Sequence, residues 1–364
     1  MKKFAALLIS RQALRPDGAT PWVRACVEAV DWLKSKQYGI VSSTGMQTWE
    51  LVTALAAQEK LPLRLFVPVG AEREMIVARA TYTLHFGLER EWVEFVPVIG
   101  GEDRVRSMAR RDAAVVETSD LLMPISVRPD GGMTELLKAA ESNGRTVERK
   151  FEVPYDTGHE PLKMEITADA VSEELKDFED DYLIHWTRAA NHAWPDERLM
   201  EYYGDVVRSK SWARSGFLTL RRILDSGRLI ASSRHMPARI ATVSFSGLRP
   251  IEVLPLMKWR ARYSQMTFEP YGIGITRELA SRLGIRAVKY YDRHNTLSMD
   301  PNQVWLWQSR GTVSDWTAER EFRCRGDLIL RGIAEDAVVL FCHTPAEAEE
   351  LRRSYRFHVV PFLK

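Results

Sequence analysis

Residues 38–46, YGIVSSTGM, decide how the first half of this chain is read. Gly39, Ile40 and Val41 form a short apolar run. Small and hydroxylated residues follow, then Gly45, and from Met46 the apolar spacing becomes helical. A parallel strand that empties into a helix N-terminus has this appearance. In doubly wound α/β folds that crevice binds ligands, because backbone N–H groups point outward there and favour phosphate. The spacing is neither GxGxxG nor a Walker loop. It points to a nucleotide-like pocket rather than to one reaction.

Working outward, residues 4–9 read as a buried strand. Residues 21–36 read as an amphipathic helix with Val23, Cys26, Val27, Val30 and Leu33 on one stripe. Thr20 suits its cap and Pro21 its first turn. Helices are expected over 46–58, 72–86, 103–111 and 133–142. Strands are expected over 38–42, 63–69, 92–98 and 113–116, residues 120–127 read as another strand or a strand-like loop, and 146–153 closes the half. Alternation of this kind predicts a mostly parallel, Rossmann-like sheet with helices on both faces.

In such a sheet the loops after successive strands gather at the carboxyl rim. Ser42, Ser43, Thr44 and Gly45 offer hydroxyls and backbone donors there. Gly131 and Gly132 repeat the device before the next helix. Arg128 suits a phosphate in bidentate fashion, and Glu117, just past Val116, suits a ribose hydroxyl. A plain turn is the alternative for each glycine loop.

The runs YGIVSSTGMQTWE, LPLRLFVPVG and DLLMPISVRPDGGMTELLKAA resemble the Rossmann-like nucleotide-binding superfamily that includes the Smf/DprA and LOG-type proteins. The likeness spans roughly residues 1–153. It implies binding of nucleotides, nucleotide-derived signals or single-stranded DNA at the crevice. In LOG enzymes a Glu after the glycine turn serves the cleavage of nucleoside monophosphates. GGMTE puts Glu135 at that place, although further glycine and threonine of the LOG signature are missing.

Residues 154–182 read as a polar linker followed by an acidic helix, and residues 183–364 as an α+β domain. Helices are expected over 217–226, 249–263, 277–283 and 345–353. The segment 188–214 is rich in aromatic and charged residues and gives no clear pattern. The series IHWT, GRLIASSRH, VSFS, FEPYGIGITRE, AVKYY and EREFRCRGDL resembles AbiGi-type abortive-infection domains, which implies a role in phage defence. It also has a likeness to ADP-ribosyltransferase folds. That likeness implies NAD in a cleft, His185 on a ribose or phosphate, Tyr271 against the nicotinamide, and Glu321, or else Glu319, orienting the attacking group. Read from the residues alone, His185 beside Trp186 equally suits a packed core. Tyr271 beside Gly272 suits either packing or the close approach of a ligand. A Glu321 facing a cleft would stabilise an oxocarbenium-like centre, whereas the Glu319–Arg325 run also suits an ion-paired strand face.

The net charge of +2 gives no general case for nucleic-acid binding, so a single-stranded nucleic-acid partner is not favoured. Cys26, Cys324 and Cys342 are too scattered for a disulfide framework, which makes cytoplasm the default location. The apolar run 4–9 is too short to span a membrane. His159, His192, His235, His294, His343 and His358 have no partner at metal-ligand spacing, and no metal is expected. Ser232, Ser233, Arg234 and His235 suit a turn or a phosphate loop. Trp305, Trp307 and Trp316 suit a core or a base-stacking platform. Three readings stay open. The first is an enzyme that cleaves a C–N glycosidic bond or transfers ADP-ribose, with NAD or another nucleotide as cofactor. The second is a non-enzymatic nucleotide sensor with a partner- or DNA-binding second domain, and a homo-oligomer fits either of these. The third is a nucleoside monophosphate glycosidase centred on Glu135.

Overall fold

The computed structural model describes residues 2–99, 104–156, 164, 166–179, 181–234, 236–292, 300–310 and 317–364. The chain forms two compact units, residues 1–160 with 192–213 and residues 161–191 with 214–364.

The first unit is a parallel α/β sheet with helices on both faces. Its elements are β1 (Phe4–Ile9), α1 (Pro21–Ser35), β2 (Gly39–Ser43), α2 (Gln47–Gln58), β3 (Leu63–Val69), α3 (Glu74–Phe86), β4 (Val93–Ile99), α4 (Arg104–Glu117), β5 (Leu121–Ser126), α5 (Gly132–Ser142) and β6 (Thr146–Val147). All six strands are parallel, in the order β4-β3-β2-β1-β5-β6. The chain steps outward from β1 to β4, and α4 then carries it back to β5 on the other side of β1. Strand order therefore reverses between β1 and β5, which is where an open α/β sheet has its crevice.

Alternate residues of each strand feed two cores. Ala5, Leu7 and Ile9 pack with Val23, Cys26 and Val30 of α1 and Leu51 and Leu55 of α2. Ala6 and Leu8 pack with Val115 of α4 and Leu137 of α5. Thr20 does take the N-cap position of α1, but its hydroxyl donates to Asp17 Oδ1 at 3.0 Å instead of capping the helix.

Residues 113–116, expected as a strand, belong to α4. The buried stripe of that helix is Ser107, Arg111 and Val115, so a hydroxyl and a charge hide its helical period. Glu117 belongs to the same helix. It ends α4, where Arg145 donates to its carbonyl at 3.1 Å and also to Ser119 just before β5. Glu117 thus lies at the amino edge of the sheet, away from the carboxyl rim expected for it.

Residues 192–213, part of the unclear stretch, return to the first unit. Their helix, Leu199–Arg208, buries Tyr202, Tyr203 and Val206 in the first core.

The second unit is a mixed-sheet α+β domain. Among the described residues its largest sheet has seven strands, in the spatial order Arg286–Ala287, Glu321–Arg325, Thr242–Ser246, Tyr182–Thr187, Tyr271–Thr276, Val338–Cys342 and His358–Pro361. Neighbours are antiparallel except the last two strands. Leu183, Val243, Phe245, Ile273 and Leu340 pack on one face with Leu220, Ala348 and Leu351. Ile184, Trp186, Val339 and Phe341 pack on the other with Leu175, Val253 and Met257. The acidic helix shrinks to Glu173–Lys176, since Asp177, Glu179 and Asp181 would oppose the dipole at its C-terminus. The helix expected over 249–263 is only Pro250–Val253, followed by 3₁₀ turns around Pro255. No helix among the described residues is long and apolar enough to cross a membrane.

Candidate functional site

β2 and β5 flank β1, so the loops bearing Gly45 and Gly131 leave the same carboxyl rim, one strand apart. Their chemistry differs.

On the β2 side the polar groups are engaged within the protein. Ser42 Oγ donates to the Trp49 carbonyl at 2.9 Å, and Ser43 Oγ donates to the Phe66 carbonyl at 2.7 Å. Thr44 is buried, and its carbonyl accepts from Arg111 at 3.1 Å. Arg111 is itself buried, is paired with Asp112 at 2.7 Å, and lies 5.7 Å from the Trp49 ring centre. Gly45 has φ +86, which its glycine identity permits. Its amide donates to Tyr82 Oη at 3.2 Å. Tyr82 Oη donates onward to Glu50 Oε1 at 3.1 Å, and Tyr203 Oη donates to Glu50 Oε2 at 2.9 Å. Burial pushes the Glu50 carboxyl above its ordinary range, against the pull of the two tyrosine hydroxyls and the Gly45 amide. Gln47 Nε2 donates to the Leu14 carbonyl at 3.4 Å, which ties the loop after β1 to α2. This Glu50–Tyr82–Tyr203 network has no motif in the sequence, because its members lie in α2, α3 and the returning helix.

The β5 side is open. The Arg128 amide donates to Ser10 Oγ at 2.9 Å, which fixes the loop after β5 to the end of β1. Thr134 Oγ1 donates to the Arg128 carbonyl at 2.6 Å and closes the turn. No side chain caps α5. The Thr134 and Glu135 amides return to the Gly131 carbonyl, while those of Gly132 and Met133 precede the first helical bond. Gly132 is exposed, and a Cβ built on it would meet nothing within 4 Å. Arg128 and Glu135 are exposed beside it.

A groove of about 280 Å³ also lies in the first unit, along α3 and the returning segment, with Tyr82, His85, His192, Trp194 and Glu197 on its walls. No sequence motif marks it, since its two sides come from α3 and from the distant segment that begins at His192.

In the second unit the three residues of the NAD reading are not brought together. Ile184 pairs with Ser246, and Ser246 with Glu321, so these share one sheet face. His185 alternates to the other face, edge-on to Phe245 with ring centres 5.8 Å apart. Its Nδ1–H donates to the Ser244 carbonyl at 2.8 Å, and burial pushes its pKa below the ordinary value. Tyr271 is buried, and its hydroxyl donates to Glu347 Oε1 at 2.9 Å. Gly272 leaves no approach for a ligand, because a Cβ there would stand 2.8 Å from the Trp186 ring. Glu321 forms a two-pronged pair with buried Arg323, at 2.8 and 2.9 Å, and accepts from Ser244 Oγ at 2.7 Å. Glu319 differs. Burial first, and the Glu321 charge second, push its carboxyl up to about 7, against Arg260 and Arg188.

Trp305 is buried, with its indole N–H on the Asn302 carbonyl, and so presents no face for a base. Trp316, His159, His235 and His294 lie outside the described residues. Among the described residues no three His, Cys, Asp or Glu side chains converge as a metal site would require.

These features define the first unit as a Rossmann-like α/β module with an open carboxyl rim beside β5. Comparison with protein-family models and with curated proteins finds no match to this chain.

Proposed function

We propose that the first unit binds a phosphate-bearing nucleotide or nucleotide-derived small molecule in the crevice between β1 and β5. The observation that carries this reading is the uncapped start of α5, with Gly132 unobstructed, at the point where strand order reverses. The Gly132 and Met133 amides and the dipole of α5 would take the phosphate. Arg128 would close over it as a planar donor. Gly45 contributes as a held wall of the crevice, because its amide is already bonded to Tyr82.

Glycosidic cleavage adds one residue to this reading. Glu135 stands exposed in the first turn of α5, within the same rim. NAD belongs to the same ligand class.

The test is thermal unfolding of the full chain with AMP, ADP-ribose and NAD. A ligand at a hundred times its Kd stabilises by about 2.7 kcal/mol, which is a readable shift. Arg128→Ala and Gly132→Val should abolish that shift and leave the unliganded melting temperature in place. Absence of a shift with every nucleotide would remove the proposal. Release of free base from AMP, lost in Glu135→Gln, would add catalysis to binding.

A further inference from the structure

Among the described residues, the second unit holds two charged side chains, Arg188 and Glu319, whose hydrogen bonding is incomplete. Glu321, Arg323 and Ser244 satisfy one another on one face of the sheet. Arg323 completes itself on the Trp305 carbonyl and Gln308 Oε1. Beside this closed set lie Arg188, one residue past the His185 strand, and Glu319, two residues before the Glu321 strand.

Among the described residues, half-buried Arg188 makes one side-chain hydrogen bond, to the Thr267 carbonyl at 2.8 Å. A guanidinium has five N–H donors, and withdrawing them from water without acceptors is costly. The half-buried Glu319 carboxyl receives no hydrogen bond among the described residues, although its backbone carbonyl is held by Ser246 Oγ at 2.9 Å. Arg188 and Glu319 interact with each other and both interact with Arg260. The backbone around them is strained, since Arg320 and Ser264 hold φ of 45 and 47 without being glycine. Asn191 Nδ2 bridges the Tyr263 and Ser264 carbonyls and holds that second turn. Under-bonded charges and held strain in one place call for a ligand.

We propose that the second unit carries a phosphoryl-binding site of its own, in which Arg188 and Arg260 grip a phosphate or pyrophosphate group and Glu319, when protonated, donates a hydrogen bond to it. Guanidinium forks match phosphate oxygens geometrically, and a dianion suits more than one of them. Ionised Glu319 would repel the same anion. The charged and titratable groups facing Glu319 are Glu321 at the start of the strand that follows it, Arg188, Arg260, and Tyr290 from Lys289–Tyr291. Arg188 in turn faces Glu269, Arg234 and His185. Burial leaves Glu319 titrating near neutrality, so the site should release its anion as pH rises.

Calorimetric titration of the full chain tests this, in a Gly132→Asp background that places a carboxylate in the first-unit rim. Inorganic pyrophosphate measures affinity. Sulfate, whose charge is fixed near neutral pH, measures the pH profile. One saturable site should remain, weakening about tenfold for each pH unit above the Glu319 midpoint. Arg188→Gln should weaken it at least about tenfold. Glu319→Gln should bind with no such slope. If Arg188→Gln does not fold by circular dichroism, Arg188→Lys, which keeps the charge and loses the fork, should bind more weakly than the parent. Unchanged affinity in the Arg188 variant, or an unchanged slope in Glu319→Gln, overturns the site. Loss of all anion binding in Gly132→Asp alone also overturns it and leaves the first-unit reading standing.

Discussion

Tyr203 donates its hydroxyl to Glu50 Oε2 at 2.9 Å, and so fastens a helix from residues 192–213 to the first turn of α2. The bond serves a half-buried carboxyl whose pKa is raised mainly by burial. Tyr203→Phe removes a donor from that carboxyl and should destabilise the first unit by about 1–3 kcal/mol in urea unfolding.

The same carboxyl sets a pH dependence. A raised folded-state pKa gives stability that is full below the unfolded-state value and is lost as pH rises through the folded one. Denaturation midpoints of the native chain should therefore fall from mildly acidic towards neutral pH, with Glu319 in the second unit adding to the same trend. Glu50→Gln should flatten the first-unit part of the slope. An unchanged slope in the double variant Glu50→Gln, Glu319→Gln would show that neither group is its source.

Glu321 and Arg323 should behave as a structural pair. Arg323 is only 1% exposed, and Glu321→Ala would leave it without its carboxylate. Removing one partner of a buried pair costs about 3–5 kcal/mol, which thermal unfolding will show as a large drop in Tm. A stable Glu321→Ala chain would contradict this.

Two glycines should respond oppositely to alanine. Gly272→Ala drives a Cβ into the Trp186 ring and should cost about 1–3 kcal/mol. Gly132→Ala meets open space and should leave stability within about 0.5 kcal/mol of the parent. Equal effects in denaturant titrations would refute the packing assigned to both.

Much of the first unit was legible because its buried strands are continuous apolar runs. Ile40–Val41 and the run from Leu63 to Val69 announce themselves as parallel strands, and Pro21 marks a helix start. α4 was obscured because Ser107 and Arg111 occupy buried positions where apolar residues would show its period. The roles of Ser42 and Ser43 were not legible, since a hydroxyl that serves a ligand and one that bonds to a neighbouring carbonyl look alike in sequence. Gly272 stayed open between packing and ligand approach for a similar reason, because its neighbour Trp186 is far away along the chain. Glu319 and Glu321 differ only in their surroundings, one bonded by Arg323 and Ser244 and the other facing Arg188 across the face.

The interleaving of the two units along the chain has a consequence for biosynthesis. The first unit lacks its tyrosine-bearing helix until residue 208 has left the ribosome, by which time residues 161–191 of the other unit have already emerged. Neither unit is a contiguous stretch that can be cut out whole. A nascent chain stalled near residue 160 should remain more sensitive to protease than one stalled well beyond residue 213.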